Sequence, residues 1–185
     1  MSKDMIEIRW HGRGGQGAIT AAKIVAKAAF DAGHRGVVMA PTFGTERRGA
    51  PVHTALKIAK TKINDICPIE TPDVVIVLDD MILDEVDVAA GLKPGGTLIL
   101  NTAKPKDSFD FKDVKLVTAN VTDLAEKAGL KRGIVNTGII GAFAKALPIV
   151  PLDKLLSEIE TEFKGKNGKK NAEAARLTFE HTELE

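Results

Sequence analysis

The sequence predicts an α/β fold: a three-layer domain whose mostly parallel sheet carries helices on both faces, with an antiparallel excursion after the second strand. Three observations predict it. Strand-like and helix-like segments alternate along the chain. The segment Asp73 to Leu78 is apolar without a break through Val74-Val75-Ile76-Val77-Leu78, as expected of a parallel strand covered on both sides. Val52 to Ala59 instead alternates, placing Val52, Thr54, Leu56 and Ile58 against polar or small neighbours, which suggests a half-exposed antiparallel strand at an edge. A chain of 185 residues is expected to form one domain over positions 1–185.

The elements follow in order. Met5 to Trp10 reads as the first strand and Gly12 to Gly17 as a glycine-rich turn. Ala18 to Ala32 has helical spacing, with Ile19, Ala22, Val25, Ala26 and Ala29 on one stripe and Gly33 as the stop. Gly36 to Ala40 is the second strand, and Pro41 to Pro51 a loop. After the apolar strand, Asp79 to Ala90 is read as a helix. Lys93-Pro94-Gly95-Gly96 turns into the strand Thr97 to Leu100, and Lys115 to Ala119 is the next strand. A short helix covers Asp123 to Ala128. Asn136 to Leu147 is apolar nearly all round and is read as a buried helix, in which Gly138, Gly141 and Ala142 permit close packing. Leu152 to Phe163 and Ala172 to His181 complete the set, separated by a solvated turn holding Lys164, Lys166, Lys169 and Lys170.

Composition excludes several classes. With 26 basic and 25 acidic residues the net charge is +1, so the basic excess that phosphate-backbone binding requires is missing, and nucleic acid is not an expected partner. No apolar run is long enough for a membrane span, and the N-terminal residues lead straight into a strand pattern, so a cytoplasmic, membrane-free location is expected. The single cysteine, Cys67, cannot supply the four thiolates of an iron–sulfur cluster. The four histidines lack the paired spacing of a zinc site. No metal ligands and no catalytic residues are assigned.

The chemistry concentrates in two segments. Gly12-Arg13-Gly14-Gly15-Gln16-Gly17 matches the G-x-G-x-x-G pattern between a strand and a helix, where glycines allow a tight turn and the helix start offers N–H groups to an anion. A dinucleotide site also needs an acidic residue ending the second strand, and Met39-Ala40-Pro41-Thr42 has none. Arg47 and Arg48 lie in the following loop, and paired guanidinium groups suit a phosphate, a carboxylate or an inter-subunit ion pair. Arg13 could face an anion or solvent. Gln16 could face a ligand or tie the loop to itself. His11 stands at the carboxyl end of the first strand, where a hydrogen-bonded structural histidine is the expectation.

Taken together, Ile8-Arg9-Trp10-His11-Gly12-Arg13-Gly14-Gly15-Gln16-Gly17-Ala18 and Ala40-Pro41-Thr42-Phe43-Gly44-Thr45-Glu46-Arg47-Arg48-Gly49-Ala50-Pro51-Val52 resemble the gamma subunit of pyruvate and related 2-oxoacid:ferredoxin oxidoreductases. Asn136-Thr137-Gly138-Ile139-Ile140-Gly141-Ala142-Phe143 adds a weaker correspondence. The resemblance implies a chain inactive alone, working with alpha, beta and delta subunits. Thiamine diphosphate, magnesium and [4Fe–4S] clusters are then carried by those partners. The complex converts a 2-oxoacid and coenzyme A to acyl-CoA and CO2 and passes electrons to ferredoxin. The form His-Gly-Arg-Gly-Gly-Gln-Gly resembles the pyruvate branch. For this chain it implies support of assembly and coenzyme A positioning by Gly12, Arg13, Gly14, Gly15, Gln16, Gly17, Arg47 and Arg48. Permanent assembly implies in turn an exposed apolar patch on the isolated chain. Two alternatives stand beside this reading: a stand-alone nucleotide-binding enzyme, and a purely structural scaffold subunit.

Overall fold

A computed structural model describes residues 5–41, 48–64 and 67–184. Six strands form one sheet in the order β2-β3-β1-β4-β5-β6. They are β1 (Met5–Arg13), β2 (Gly36–Pro41), β3 (Pro51–Ala59), β4 (Val74–Val77), β5 (Gly96–Asn101) and β6 (Val114–Ala119). Five α-helices accompany them: α1 (Ala18–Asp31), α2 (Val121–Lys127), α3 (Gly138–Ala146), α4 (Leu152–Glu162) and α5 (Gly168–His181). The pairs β1–β4, β4–β5 and β5–β6 are parallel, and β3 runs antiparallel to both β1 and β2. The α/β class, the mostly parallel sheet and the antiparallel excursion are all present.

The uninterrupted run in β4 has the expected cause: all four residues are buried between two parallel neighbours. Ile8, Trp10, Ile76, Ile99 and Val117 face a large cluster with α1, α3 and α4, while Val75, Val77, Leu98 and Leu100 face the opposite side. The two outer layers are unequal. The α-helices pack on the first face, whereas the apolar cover of the second comes from the 3-10 segment Asp80–Asp84, from the turns carrying Val86, Val88 and Leu92, and from Phe109 and Phe111.

Three elements differ from expectation. β3 lies inside the sheet between β1 and β2, so the edge strand is β2. Lys57, which gives β3 its half-exposed look, is buried and ion-paired with Glu7 at 3.5 Å. Asp79 to Ala90 is not a continuous helix but a 3-10 segment followed by turns. There Asp79 accepts from the Met81 N–H at 3.0 Å and Asp87 from the Ala89 N–H at 3.1 Å. Such local side-chain acceptors compete with helical hydrogen bonds. β1 continues past Trp10 to Arg13 because β3 pairs with it as far as Arg13 opposite Pro51.

The small residues of α3 do what their size permits. A β-carbon on Gly141 would intrude on the Ala175 carbonyl and the Phe179 N–H of α5, and one on Gly138 would collide with Val121. Phe143 reaches the other way, its ring centroid 6.2 Å from that of Trp10.

Candidate functional site

The carboxyl ends of β1, β4, β5 and β6 form one edge, where parallel sheets usually place ligands. β1 and β2 share a direction because both run antiparallel to β3, so the segments after them leave the sheet on that same edge. The two strands are not adjacent, yet their loops meet. Gly14 donates its N–H to the Ala50 carbonyl at 2.8 Å, and Gly49 donates to the Gly14 carbonyl at 3.1 Å. Gly15, at φ 90°, lies against the Arg48 side chain, whose Cγ is 3.8 Å from where a β-carbon would stand. Arg48 is exposed and has no ion pair among the described residues. Arg47 falls outside the described residues.

Gln16 and Arg13 secure the turn rather than offering themselves outward. The Gln16 side-chain oxygen accepts from the Arg13 N–H at 2.7 Å, and its amide donates to Asp79 at 3.0 Å. The Arg13 guanidinium donates to Asp79 at 3.1 Å, Glu85 at 2.7 Å and the Gly49 carbonyl at 3.0 Å. Hydrogen bonding to Glu85, and then to Asp79, raises its pKa further above the ordinary value. Gly12 allows the helix start to approach the strand: a β-carbon there would stand 3.1 Å from that of Ala18.

Asp79 and Asp80 are the residues that inspection of the second strand misses. The parallel neighbour of β1 is β4, and β4 is followed by Leu78-Asp79-Asp80. The signal was legible as a carboxylate pair at the end of the most apolar strand. Asp79 is engaged by Arg13, Gln16 and Met81. Asp80 accepts from the Thr102 hydroxyl at 2.7 Å and pairs with Lys104 at 3.4 Å.

Beyond the turn, a polar cleft of about 400 Å³ runs along the same edge, lined by Gln16, Asp80, Asn101, Lys104, Asn120 and Arg132 among others. Asn101 braces its floor, donating to the Leu78 carbonyl at 2.9 Å and accepting from the Val121 N–H at 3.0 Å. His11 is a structural histidine. It is buried, its Nε2 accepts from the Arg9 side chain at 3.1 Å, and its ring centroid lies 5.8 Å from that of His53. Burial, then Arg9 and His53, push its pKa down to about 3, so the ring is neutral at ordinary pH.

The described residues bring no three histidine, cysteine or carboxylate side chains together as metal ligands. Among them, no helix is long and apolar enough to cross a membrane.

Comparison with known proteins agrees with this architecture. The profile of the pyruvate ferredoxin/flavodoxin oxidoreductase family matches residues 7–181. The chain is 50% identical over 183 residues to the pyruvate/ketoisovalerate oxidoreductases common subunit gamma of Thermococcus litoralis, covering 96% of this chain and 97% of that one. It is 47% identical over 179 residues to pyruvate synthase subunit PorC of Methanothermobacter thermautotrophicus, with 97% of each covered. The crystal structure of the pyruvate oxidoreductase subunit PORC of Thermotoga maritima superposes with a TM-score of 0.84 at 35% identity, over 98% of both chains. The fold recurs at 19% identity and TM-score 0.73 in 32% of a 2-oxoglutarate:ferredoxin oxidoreductase chain from Magnetococcus marinus, solved with 2-oxoglutarate, coenzyme A and succinyl-CoA. With a profile match along almost its whole length and relatives near half identity, this chain belongs to the pyruvate ferredoxin/flavodoxin oxidoreductase family.

Proposed function

We propose that the chain serves as the gamma-type subunit of a cytoplasmic 2-oxoacid:ferredoxin oxidoreductase acting on pyruvate, and that its glycine turn and Arg48 help position coenzyme A. Alpha, beta and delta subunits, or fused equivalents, carry thiamine diphosphate, magnesium and the [4Fe–4S] clusters. Electrons leave to ferredoxin. One observation carries the positioning role: the two signature loops meet at the carboxyl edge, where Gly49 and Ala50 pair with Gly14 and Arg48 lies beside Gly15. With Arg13 held by carboxylates, Arg48 is the guanidinium of this crevice without an ion pair among the described residues. A guanidinium beside a glycine turn suits the phosphates of coenzyme A.

The test begins with co-purification of the native chain and its partners, followed by assay for pyruvate- and coenzyme A-dependent reduction of an acceptor. Within that complex, Arg48→Ala removes a charge-assisted hydrogen bond of about 1.5–3 kcal/mol. The expected result is a rise in KM for coenzyme A of roughly 10- to 150-fold, with pyruvate binding and decarboxylation retained. An intact mutant complex with unchanged KM for coenzyme A removes Arg48 from the site. A complex that dissociates on substitution makes the crevice an assembly contact instead.

A further inference from the structure

Positive charge is unevenly spread along the chain. Residues 127–133 hold Lys127, Lys131 and Arg132, residues 163–171 hold Lys164, Lys166, Lys169 and Lys170, and neither stretch contains a carboxylate. These seven cations leave 19 of the 26 basic residues against 25 acidic ones elsewhere, so the rest of the chain carries a net charge of −6. The overall +1 conceals that division.

The fold joins the two stretches into one patch. The first follows α2 and the second leads into α5. The Lys170 ammonium donates to the Gly129 carbonyl at 3.3 Å, and beneath that bond Ala125 and Leu130 pack on Ala174 of α5. All seven cations are exposed. Neighbouring carboxylates do little to neutralise them, because most are engaged. Glu126 pairs with Arg132 at 3.3 Å, Glu162 with Lys23 and Lys27, and Glu173 with Arg176. Lys127, Lys131, Lys164, Lys166 and Lys169 have no ion pair among the described residues. Lys169 and Lys170 also stand in the first turn of α5, which contains no acidic residue. A helix start favours anions there, so two ammonium groups at that end oppose the dipole. The chain therefore gathers like charge where its own fold disfavours it.

We propose that this patch, formed by the turn after α2 and the start of α5, docks the carboxylate-rich face of a separate protein that binds and leaves. The chemistry of the patch selects that partner. Six of the seven cations are lysine, a solvated point charge rather than the forked group that reads phosphate and base edges. The patch exposes no aromatic ring for stacking on bases, and the net negative remainder of the chain repels a polyanion long enough to run past it. None of the prominently exposed large apolar residues lies in either stretch, so nothing there anchors in a lipid surface. The same lack separates the patch from a permanent subunit contact, whose core is apolar and poor in lysine. Opposite charge on two solvated faces instead speeds encounter and permits release.

The test uses the full chain and three probes at low ionic strength: a short poly-L-glutamate peptide, a short double-stranded DNA and phosphatidylserine vesicles. The patch variant combines Lys131→Glu, Lys166→Glu and Lys169→Glu, and keeps Lys170 because it holds the Gly129 carbonyl. A control of equal charge combines Lys60→Glu, Lys62→Glu and Lys154→Glu, exposed positions outside both stretches. Polyglutamate is expected to bind the wild type, to lose about tenfold or more in affinity for the patch variant and less than about threefold for the control, and to dissociate as salt is added. Absent binding, or equal losses in the two folded variants, would overturn the proposal. Tighter binding of DNA or of vesicles than of polyglutamate would overturn it too. Self-association of the wild type that the patch variant loses would make the partner a second copy, which also sinks the inference. In the native co-purified complex, Lys131, Lys166 and Lys169 should stay open to acetylation by a small reagent. Their protection would identify a permanent subunit contact, and the docking role would fall.

Discussion

His11 shows how a single buried ring writes itself into stability. Its pKa in the fold is about 3 against an ordinary 6.5, because burial and the neighbouring Arg9 and His53 all disfavour its charge. Between those values the unfolded chain binds a proton that the folded chain refuses. Stability therefore rises with pH across this window and falls as pH is lowered through it. At pH 5 the shift amounts to about 2 kcal/mol lost relative to neutral pH. His53 is displaced in the same direction by burial and Arg9, so it adds to the slope. Chemical denaturation from pH 7 to pH 4.5 should give His11→Gln a shallower decline than wild type. Parallel curves would mean that the ring is not the sensor. At this scale much of the candidate site was legible: the glycine turn, the presence of Arg48 in the following loop and the structural role of His11 follow from residue type and place in the pattern. The engagement of Arg13 was not, since Glu85 lies 72 residues away and only the fold brings it to 2.7 Å. Asp79 was hidden because the conventional search looks at the second strand in sequence, whereas β1 pairs in parallel with the fourth.

Among the elements, α3 depends most on what its residues lack. Gly141 admits the backbone of α5 so closely that any β-carbon would enter the space of the Ala175 carbonyl and the Phe179 N–H. Backbone cannot swing aside as a flexible side chain can, so Gly141→Ala must push two helices apart. Overpacking of this kind costs about 1–3 kcal/mol, and a backbone obstacle puts this case near the upper end. The gain in helix propensity, about 1 kcal/mol, offsets only part of it. A lowered denaturation midpoint for Gly141→Ala is the expected measurement, and an unchanged one would show that the interface yields freely. The run of small residues made this contact readable in advance, as continuous apolarity did for β4. Two elements resisted because the decisive interaction is non-local or polar. β3 looks half-exposed until Lys57 meets Glu7. The segment after Asp79 looks helical until Asp79 and Asp87 capture nearby N–H groups.

For the whole molecule, family membership implies a working assembly, but the described surface does not advertise it through large apolar side chains. Only Phe30, Met81 and Leu184 are prominently exposed among them, and Phe30 lies under the Arg35 guanidinium at 5.8 Å. The expected patch is thus not built from bulky residues. β2 and β6 each pair on one side only within the sheet, which leaves a strand edge open at either end. Fold class and family could be read from sequence because both rest on local patterns; the surface that meets partners could not, because it depends on which side chains the fold leaves outside. The division of labour proposed above has a consequence for the isolated chain. A cubane cluster needs four thiolates, and this chain has one cysteine, Cys67, which is exposed. Four separate chains would have to converge on one cluster to satisfy it. The purified chain, treated anaerobically with iron and sulfide and then desalted, should remain colourless and should reduce no acceptor with pyruvate and coenzyme A. Adding the partner subunits should restore both the iron–sulfur absorbance and the activity. A stable iron–sulfur spectrum in the desalted chain alone would place electron transfer on this subunit and reverse the assignment.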